Sequence, residues 1–307
     1  MTQSLTISNL SAKAFLKNFY DINIPLVNKI SVYSDIKLAY YGGITEVSKP
    51  IGKELYYYDV HSLYPYVSKQ DMPGLECLKV HYFYCNNIDI YNLFGFYYCD
   101  IISPNGLYLG LLPVRNQSGI YFPEGRWSGW YFSEELKFAK LNGYDIKVIK
   151  GYSFSRTKNV FARYVDNIYK FKANYTNSTQ KSIAKSLLNN LLGKFGIRLD
   201  KSLTKIVSSK TFDLICVNNK ISSFKQITSN KILVTYTPIL DDEIIKSNDL
   251  DITKLVSKFR NEEEIHAVDV TSVPISAAVT SYARIYITKL KLDIMAKGGE
   301  IYYSDTD

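Results

Sequence analysis

Two apolar runs that lie far apart in the sequence, each ending in aspartate, restrict the fold of this chain most strongly. The first run is ELYYYDV at residues 54–60, and the second is EIYYSDTD at residues 300–307. Both have the composition of strands, and an ionised aspartate in such a run is costly unless it is paired or binds a cation. In an extended chain Asp305 and Asp307 lie on the same face. We therefore expect two adjacent strands to bring Asp59, Asp305 and Asp307 into one oxygen-rich pocket.

A pocket of carboxylates is typical of a magnesium site. Mg²⁺ prefers oxygen ligands and completes its octahedron with water and substrate phosphates. Two such ions about 4 Å apart polarise an attacking hydroxyl and stabilise a leaving pyrophosphate. For Ser-Asp-Thr-Asp alone, a surface turn is the favoured alternative. Asp59 strengthens the metal hypothesis, because a solvated turn does not explain an aspartate in an apolar run.

A polar stripe on a predicted helix over residues 179–192 is the second candidate site. Lys181, Lys185 and Asn189 follow at intervals of four and share one face, while leucines supply much of the apolar remainder. Two ammonium groups one turn apart suit the phosphates of a nucleoside triphosphate. The alternative is the solvated face of an amphipathic helix, and spacing alone favours that alternative.

Composition excludes several classes of protein. The 307 residues are 46% hydrophobic and 21% charged, the balance of a folded chain of one or two domains. The net charge of +8 permits a polyanionic partner without requiring one. Four cysteines without CxxC spacing and three histidines argue against a zinc site or a disulfide framework. No apolar run approaches the ~20 residues that span a bilayer, so we expect no membrane segment.

The order of predicted elements indicates an α+β fold. Helices are expected at residues 1–20, 133–143, 158–174 and 179–192, and a long helix from Ser272, its predicted N-cap, to Gly298. The alternative for residues 1–20 is a mitochondrial presequence, but this segment contains no arginine. Strands are expected at residues 30–66, 76–150, 200–235 and 300–307, with solvated connections at 241–251 and 261–264. The segment 212–217 is predicted to be the first strand of a hairpin.

Five short motifs follow one another along the chain. They are YYGG at 40–43, DVHSLYP at 59–65, KSLLNNLLGKFG at 185–196, TSYAR at 280–284 and YSDTD at 303–307. Together they resemble the family B DNA polymerases of the protein-primed type, which certain bacteriophages and linear mitochondrial plasmids carry. That family shows YxGG, Dx₂SLYP, Kx₃NSxYG, a TxxAR-like element and YxDTDS in this order. The resemblance covers nearly the whole chain.

The resemblance implies a role for each motif residue. Asp59 and Asp307 would bind two Mg²⁺ ions, with Mn²⁺ as the alternative, Asp305 would support them, and the Val60 carbonyl would be a further ligand. Four residues would bind the incoming dNTP: Tyr64 as the gate against a 2′-hydroxyl, Lys181 and Lys185 at the phosphates, and Asn189 near the base. Five residues would contact primer-template DNA: Tyr41, Gly42, Gly43, Thr280 and Arg284.

The resemblance also implies a domain order and partners. A polymerase palm would comprise residues 1–75 and 263–307, helical fingers residues 151–197, and two β-rich insertions, similar to terminal-protein regions, residues 76–150 and 198–262. The palm is an antiparallel sheet with helices. We expect a DNA-directed DNA polymerase, truncated at YSDTD, that takes a terminal protein as primer. It is expected to be a monomer, mitochondrial by family resemblance and otherwise cytoplasmic or viral.

Two departures from the family pattern and three alternatives remain. Asn190 and Leu192 stand where the family has Ser and Tyr, which weakens the expectation of tight base selection. A basic, tyrosine-rich remnant that holds DNA without catalysis is the main alternative. A glycosyltransferase with Asp305-Thr306-Asp307 as its metal motif would leave Asp59 and the lysine stripe unexplained. A reverse transcriptase would have adjacent aspartates where Thr306 intervenes.

Overall fold

The computed structural model describes residues 6–20, 24–25, 30–82, 88–198, 202–238 and 271–306. Its helices are α1 (Ile7–Asn18), α2 (Ile30–Leu38), α3 (Leu63–Val67), α4 (Ser133–Leu141), α5 (Ala162–Asn174), α6 (Ser178–Phe195), α7 (Ser209–Asn218) and α8 (Val273–Ala296). Its strands are β1 (Thr45–Val47), β2 (Met72–His81), β3 (Gly95–Ile102), β4 (Val114–Asn116), β5 (Gly119–Tyr121), β6 (Arg126–Phe132), β7 (Asp145–Thr157), β8 (Leu203–Val207), β9 (Asn219–Thr228), β10 (Lys231–Pro238) and β11 (Tyr303–Asp305). This mixture confirms the predicted α+β class.

Within the described residues the strands form four antiparallel sheets. The largest has the order β2-β7-β3-β6, a second has the order β8-β10-β9, and β4 pairs with β5. The two-stranded sheet of β1 and β11 joins the most distant segments, with Thr45 opposite Asp305 and Val47 opposite Tyr303. An antiparallel pairing of two distant segments is what the sequence predicts for the carboxylate region, although β1 takes the place that was expected for residues 54–60.

Helix α8, with 24 residues, is the longest helix of the described residues. It packs against α2, α3, α4 and α6, and small residues on its surface permit these close approaches. Pro274 lies in its first turn, where a missing N–H costs nothing. Ser272 precedes the helix as predicted but does not cap it, because its hydroxyl donates to the Pro25 carbonyl at 2.5 Å.

Helices α1, α5 and α6 pack together beside α8 around an aromatic cluster. Phe15 of α1 is fully buried, and its ring lies 5.2 Å from Phe161 and 6.1 Å from Phe195. The Ser8 hydroxyl donates to Asn190 of α6 at 3.0 Å. The N-terminal helix is therefore part of the core, as the prediction of an ordinary helix requires.

Three segments that were predicted to be strands differ. Residues 30–38 form α2, in which the buried residues Tyr33 and Ile36 are one helical turn apart. Residues 212–217 lie in α7, where the Ser208 side chain accepts from the Thr211 amide as an N-cap. Residues 54–60 belong to no helix or strand, and the side chains of Tyr56 and Tyr57 are exposed. Strong β propensity does not form a strand without a partner strand to bond.

No helix in the described ranges is long and apolar enough to cross a membrane. The connections predicted at 241–251 and 261–264 lie outside the described residues.

Candidate functional site

A cavity of about 510 Å³ lies between α2, α3, α6 and α8. Four predicted site residues line it, and each comes from a different motif: Gly42, Tyr64, Asn189 and Thr280. These positions span more than 230 residues of sequence. The fold therefore brings four of the five motifs to the wall of one cavity.

Basic and aromatic residues that the sequence analysis missed line the same cavity. They are Tyr33, Lys37, Tyr40, Arg115 and Arg198. A signal for two of them was present in the sequence, because Tyr33 and Lys37 are four residues apart, the spacing of neighbours on a helix. In the structure the Lys37 ammonium lies 5.2 Å from the centroid of the Tyr33 ring. Arg115 had no such signal, since the distant strand β4 carries it to this wall.

Two residues with left-handed backbone mark the two aspartate motifs. Ser62 has φ 59° immediately before α3, which carries Tyr64, and Thr306 has φ 66° immediately after β11. Left-handed backbone is unfavourable for residues other than glycine, most of all for a β-branched residue such as Thr. Such strain persists where the surrounding structure imposes it, and it is concentrated at functional sites.

The carboxylates occupy the two motif segments but not two adjacent strands. Asp59 is exposed, with its carboxylate 3.5 Å from Nδ1 of His61. Asp305 ends β11 and accepts a hydrogen bond from the Thr45 hydroxyl at 3.4 Å. The pKa of Tyr303 is raised by partial desolvation, then by the Asp305 carboxylate, with a contribution from Tyr57.

A magnesium site at these residues is consistent with the kind of donor that they supply. Asp59 and Asp305 are carboxylates, the ligands that Mg²⁺ prefers, and the Val60 carbonyl is a further oxygen. Within the described part of the chain, no three His, Cys, Asp or Glu residues are placed to hold a metal together. Asp307, the third predicted carboxylate, lies outside the described residues.

The lysine stripe forms on a single helix as predicted. Lys181, Lys185 and Asn189 all lie on α6, and both lysines are exposed. Asn189 reaches the cavity wall together with Leu192 and Gly193. Residues four apart share one helix face. Lys185 and Lys181 therefore lie on the same face of α6 as Asn189, one and two turns before it, and farther from the cavity.

Arg284 and Tyr41 have positions that differ from those predicted. The Arg284 side chain is 1% exposed, and all five of its N–H groups have acceptors in Glu135, Ser281 and the carbonyls of Tyr41 and Gly42. No donor remains for a DNA phosphate. Tyr41 is also buried, with its ring stacked 5.8 Å from Tyr131. In this structure both side chains contact protein, and their predicted contacts with DNA stay a prediction.

Gly43 is required by a protein contact. A Cβ atom at this position would lie 2.6 Å from the side chain of Thr306, whereas a Cβ at Gly42 would meet only Ile120, at 3.7 Å. The family resemblance implies a DNA contact for both glycines. The structure gives Gly43 a different neighbour, the residue that follows Asp305.

Gly43→Ala is expected to destabilise the fold by about 1–3 kcal/mol, because Thr306 is β-branched and cannot swing away from the added methyl group. Gly42→Ala is the matched control, with an expected change of less than about 1 kcal/mol. Urea unfolding monitored by circular dichroism measures both. Equal effects of the two substitutions would contradict the contact between Gly43 and Thr306.

Comparison with known families assigns the chain. The family model described as DNA polymerase type B, organellar and viral, matches residues 1–294. The chain belongs to this polymerase family. Among curated relatives, a probable DNA polymerase of Podospora anserina is 46% identical over 311 residues, and one of Neurospora intermedia is 32% identical over 318. Each alignment covers 100% of this chain, which spans 26% and 30% of the respective relatives.

Solved structures show the same fold as this type B polymerase chain. Phi29 DNA polymerase complexed with primer-template DNA and incoming nucleotide substrates has a TM-score of 0.60 at 17% identity, covering 99% of this chain and 48% of that one. Phi29 DNA polymerase complexed with single-stranded DNA has a TM-score of 0.58 at 19% identity, with 99% and 47% covered. The resemblance to the protein-primed family B polymerases is thereby confirmed.

Proposed function

We propose that this chain forms the part of a DNA-directed DNA polymerase that holds primer-template DNA with an incoming dNTP and joins them. The proposal depends on one observation: residues from four separate motifs, Gly42, Tyr64, Asn189 and Thr280, line the same cavity. Family membership supports it, and so do the solved relatives that hold DNA and nucleotides. Because the chain belongs to the polymerase family, the glycosyltransferase alternative is set aside.

In the proposed reaction the primer 3′-hydroxyl oxygen attacks the α-phosphorus of the dNTP. The bond to the bridging oxygen of the β-phosphate breaks, pyrophosphate leaves and the proton of the hydroxyl passes to water. Magnesium held by Asp59, Val60 and Asp307, with Asp305 as a supporting acid, would lower the pKa of that hydroxyl and neutralise charge on the phosphates. Lys185, with Lys181 one turn before it, would bind the leaving pyrophosphate electrostatically. Tyr64 and Asn189, on two walls of the cavity, would orient the sugar and the base.

A primer-extension assay separates this proposal from the alternative of a DNA-binding remnant without catalysis. The chain is mixed with a fluorescent primer-template, dNTPs and Mg²⁺, and a parallel sample contains EDTA. We expect binding in both samples, measured by anisotropy, and extension only with Mg²⁺. Binding without extension would favour the remnant, whose supporting observation is the exposed position of Asp59 outside any strand. Absence of binding would refute both proposals.

Tyr64→Val is expected to raise the use of ribonucleotides relative to deoxyribonucleotides about tenfold or more. The proposed gate works by steric exclusion, and a smaller side chain in the cavity wall leaves room for a 2′-hydroxyl. The measurement is the ratio of kcat/KM for rNTP and dNTP. Tyr66→Val is the matched control, because Tyr66 lies on the same short helix with its ring against Tyr286 and does not line the cavity. An unchanged ratio in the Tyr64 variant would remove this role.

We also propose, from the family resemblance alone, that the chain acts in mitochondria as a monomer and with a terminal protein as primer, replicating linear plasmid-like DNA. A cytoplasmic or viral location is the alternative. Protease protection in isolated mitochondria tests the location. Covalent attachment of labelled dNMP to a co-expressed protein tests protein priming.

A further inference from the structure

Arg284 and Glu135 form a buried ion pair that binds the glycine segment of the first motif. We propose that this pair positions the end of β11, which carries Asp305, acting through residues 41–44 as a rigid connection. Both residues are positioning residues, since neither side chain is exposed to a substrate. The functional part of this inference rests on the proposed polymerase activity, whereas its structural part can be tested without that activity.

The guanidinium of Arg284 connects three elements at once. Its Nε and one terminal nitrogen donate to the two Glu135 oxygens at 2.7 and 2.8 Å, which joins α8 to α4. Its other terminal nitrogen donates to the carbonyls of Tyr41 and Gly42 at 2.9 and 2.8 Å. These two carbonyls belong to a segment outside any helix or strand. A planar fork with five donors can hold a carboxylate and two carbonyls together, and lysine cannot.

The Tyr41 ring strengthens the same attachment. One face stacks on Tyr131, with an interplanar angle of 17°. The guanidinium groups of Arg284 and Arg115 lie 5.7 and 5.2 Å from the ring centroid. The Arg115 side chain also donates to the Tyr40 carbonyl at 2.7 Å. Carbonyls 40, 41 and 42 are therefore each held by an arginine.

Contacts to Asp305 and Thr306, at the end of β11, begin at the next residue. Gly43 packs directly on the Thr306 side chain, and the Ile44 carbonyl accepts from the Thr306 amide at 2.7 Å. The Thr45 hydroxyl then donates to Asp305. Thr306 has left-handed backbone, a conformation that the surrounding contacts must impose. A displacement of carbonyls 41 and 42 would therefore move residues 43–45, which contact Thr306 and Asp305 directly.

The test is hydrogen exchange at the Thr306 amide in the chain, measured by NMR for wild type, Arg284→Lys and a control. Lysine keeps the charge but loses most of the fork, so we expect exchange at Thr306 to accelerate about tenfold or more. Tyr282→Phe is the matched control on the same helix, because it removes only the hydrogen bond from Tyr282 to the Asp71 carbonyl. That control is expected to leave Thr306 unchanged. Ser281→Ala, which removes a single acceptor of Arg284, is the milder variant to use if Arg284→Lys does not fold.

Two results would overturn the proposal. One is unchanged exchange at Thr306 in Arg284→Lys, or in Ser281→Ala where the former does not fold. The other is equal acceleration in Tyr282→Phe at matched melting temperature, since that would indicate general loosening. If the wild-type chain extends primers, Arg284→Lys should lower kcat through displacement of Asp305 and also raise the KM for dNTP, because the Gly42 carbonyl that Arg284 holds lies in the cavity wall. Failure of the chain to extend any primer would refute the proposed function and leave the exchange result valid.

Discussion

Asp59→Asn is expected to reduce Mg²⁺-dependent nucleotide incorporation by about 10³-fold or more. Asparagine keeps the size of the side chain but removes the negative charge that binds the cation. Metal ions supply several kcal/mol to such reactions, and each 1.36 kcal/mol corresponds to a factor of ten. The measurement is single-turnover extension of a labelled primer with saturating dNTP. The same variant should still bind primer-template DNA, because Asp59 is a metal ligand in the proposal and contacts no DNA.

The matched control is Asp166→Asn. Asp166 is an aspartate on α5 of similar exposure, 51% against 46% for the Asp59 side chain, and it pairs with Lys69 on the surface. Its substitution should leave incorporation within twofold of wild type, because exposed ion pairs contribute little. Undiminished incorporation by Asp59→Asn would eliminate the metal assignment. Equal losses of incorporation in both variants would show that removal of any surface negative charge has this effect.

Phe15→Ala is expected to lower the free energy of unfolding by about 3–5 kcal/mol, the usual cost of deleting a fully buried aromatic ring. Phe15 is 0% exposed and contacts four aromatic rings, which belong to Tyr20, Phe161, Tyr164 and Phe195. The loss would leave a cavity between α1 and the two helices α5 and α6. Guanidinium unfolding monitored by circular dichroism gives the value.

Lys17→Ala on the same helix is the control, and it should change stability by no more than about 0.5 kcal/mol because Lys17 is exposed. A loss below about 1 kcal/mol in Phe15→Ala would mean that α1 is not packed as described. That result would reopen the interpretation of residues 1–20 as a presequence, since a cleaved segment cannot be part of the core.

Helices with a clear apolar face were predictable from the sequence. The predicted helices at 158–174 and 179–192 correspond to α5 and α6, and the long helix after Ser272 corresponds to α8. Each of these helices is indicated by its apolar spacing, its polar stripe or a glycine at its end, and all three features can be recognised within the segment itself. The strand predictions for residues 30–38 and 212–217 were wrong. Ile, Val, Phe and Tyr favour strands, but packing against neighbouring elements stabilised helices there.

Part of the candidate site could be assembled from the motifs, since four of the thirteen candidate residues line one cavity. Gly42, Tyr64, Asn189 and Thr280 do line one cavity. Motif order could not show that Arg284 points inward, because that depends on Glu135, which lies 149 residues away and belongs to no motif. The contribution of Arg115 was hidden for the same reason, since a long-range contact leaves no trace in local spacing.

The amino-acid sequence by itself determined the fold class, the family and the short list of polar residues from which a site could be built. These depend on composition, local periodicity and motif order, all of which one chain displays without folding. Only the tertiary structure decided which of those residues reach the cavity, which are buried as supports, and that β1 rather than residues 54–60 pairs with β11. The reason is physical: burial and hydrogen-bond partners are properties of segments far apart in the chain, and they exist only once those segments meet.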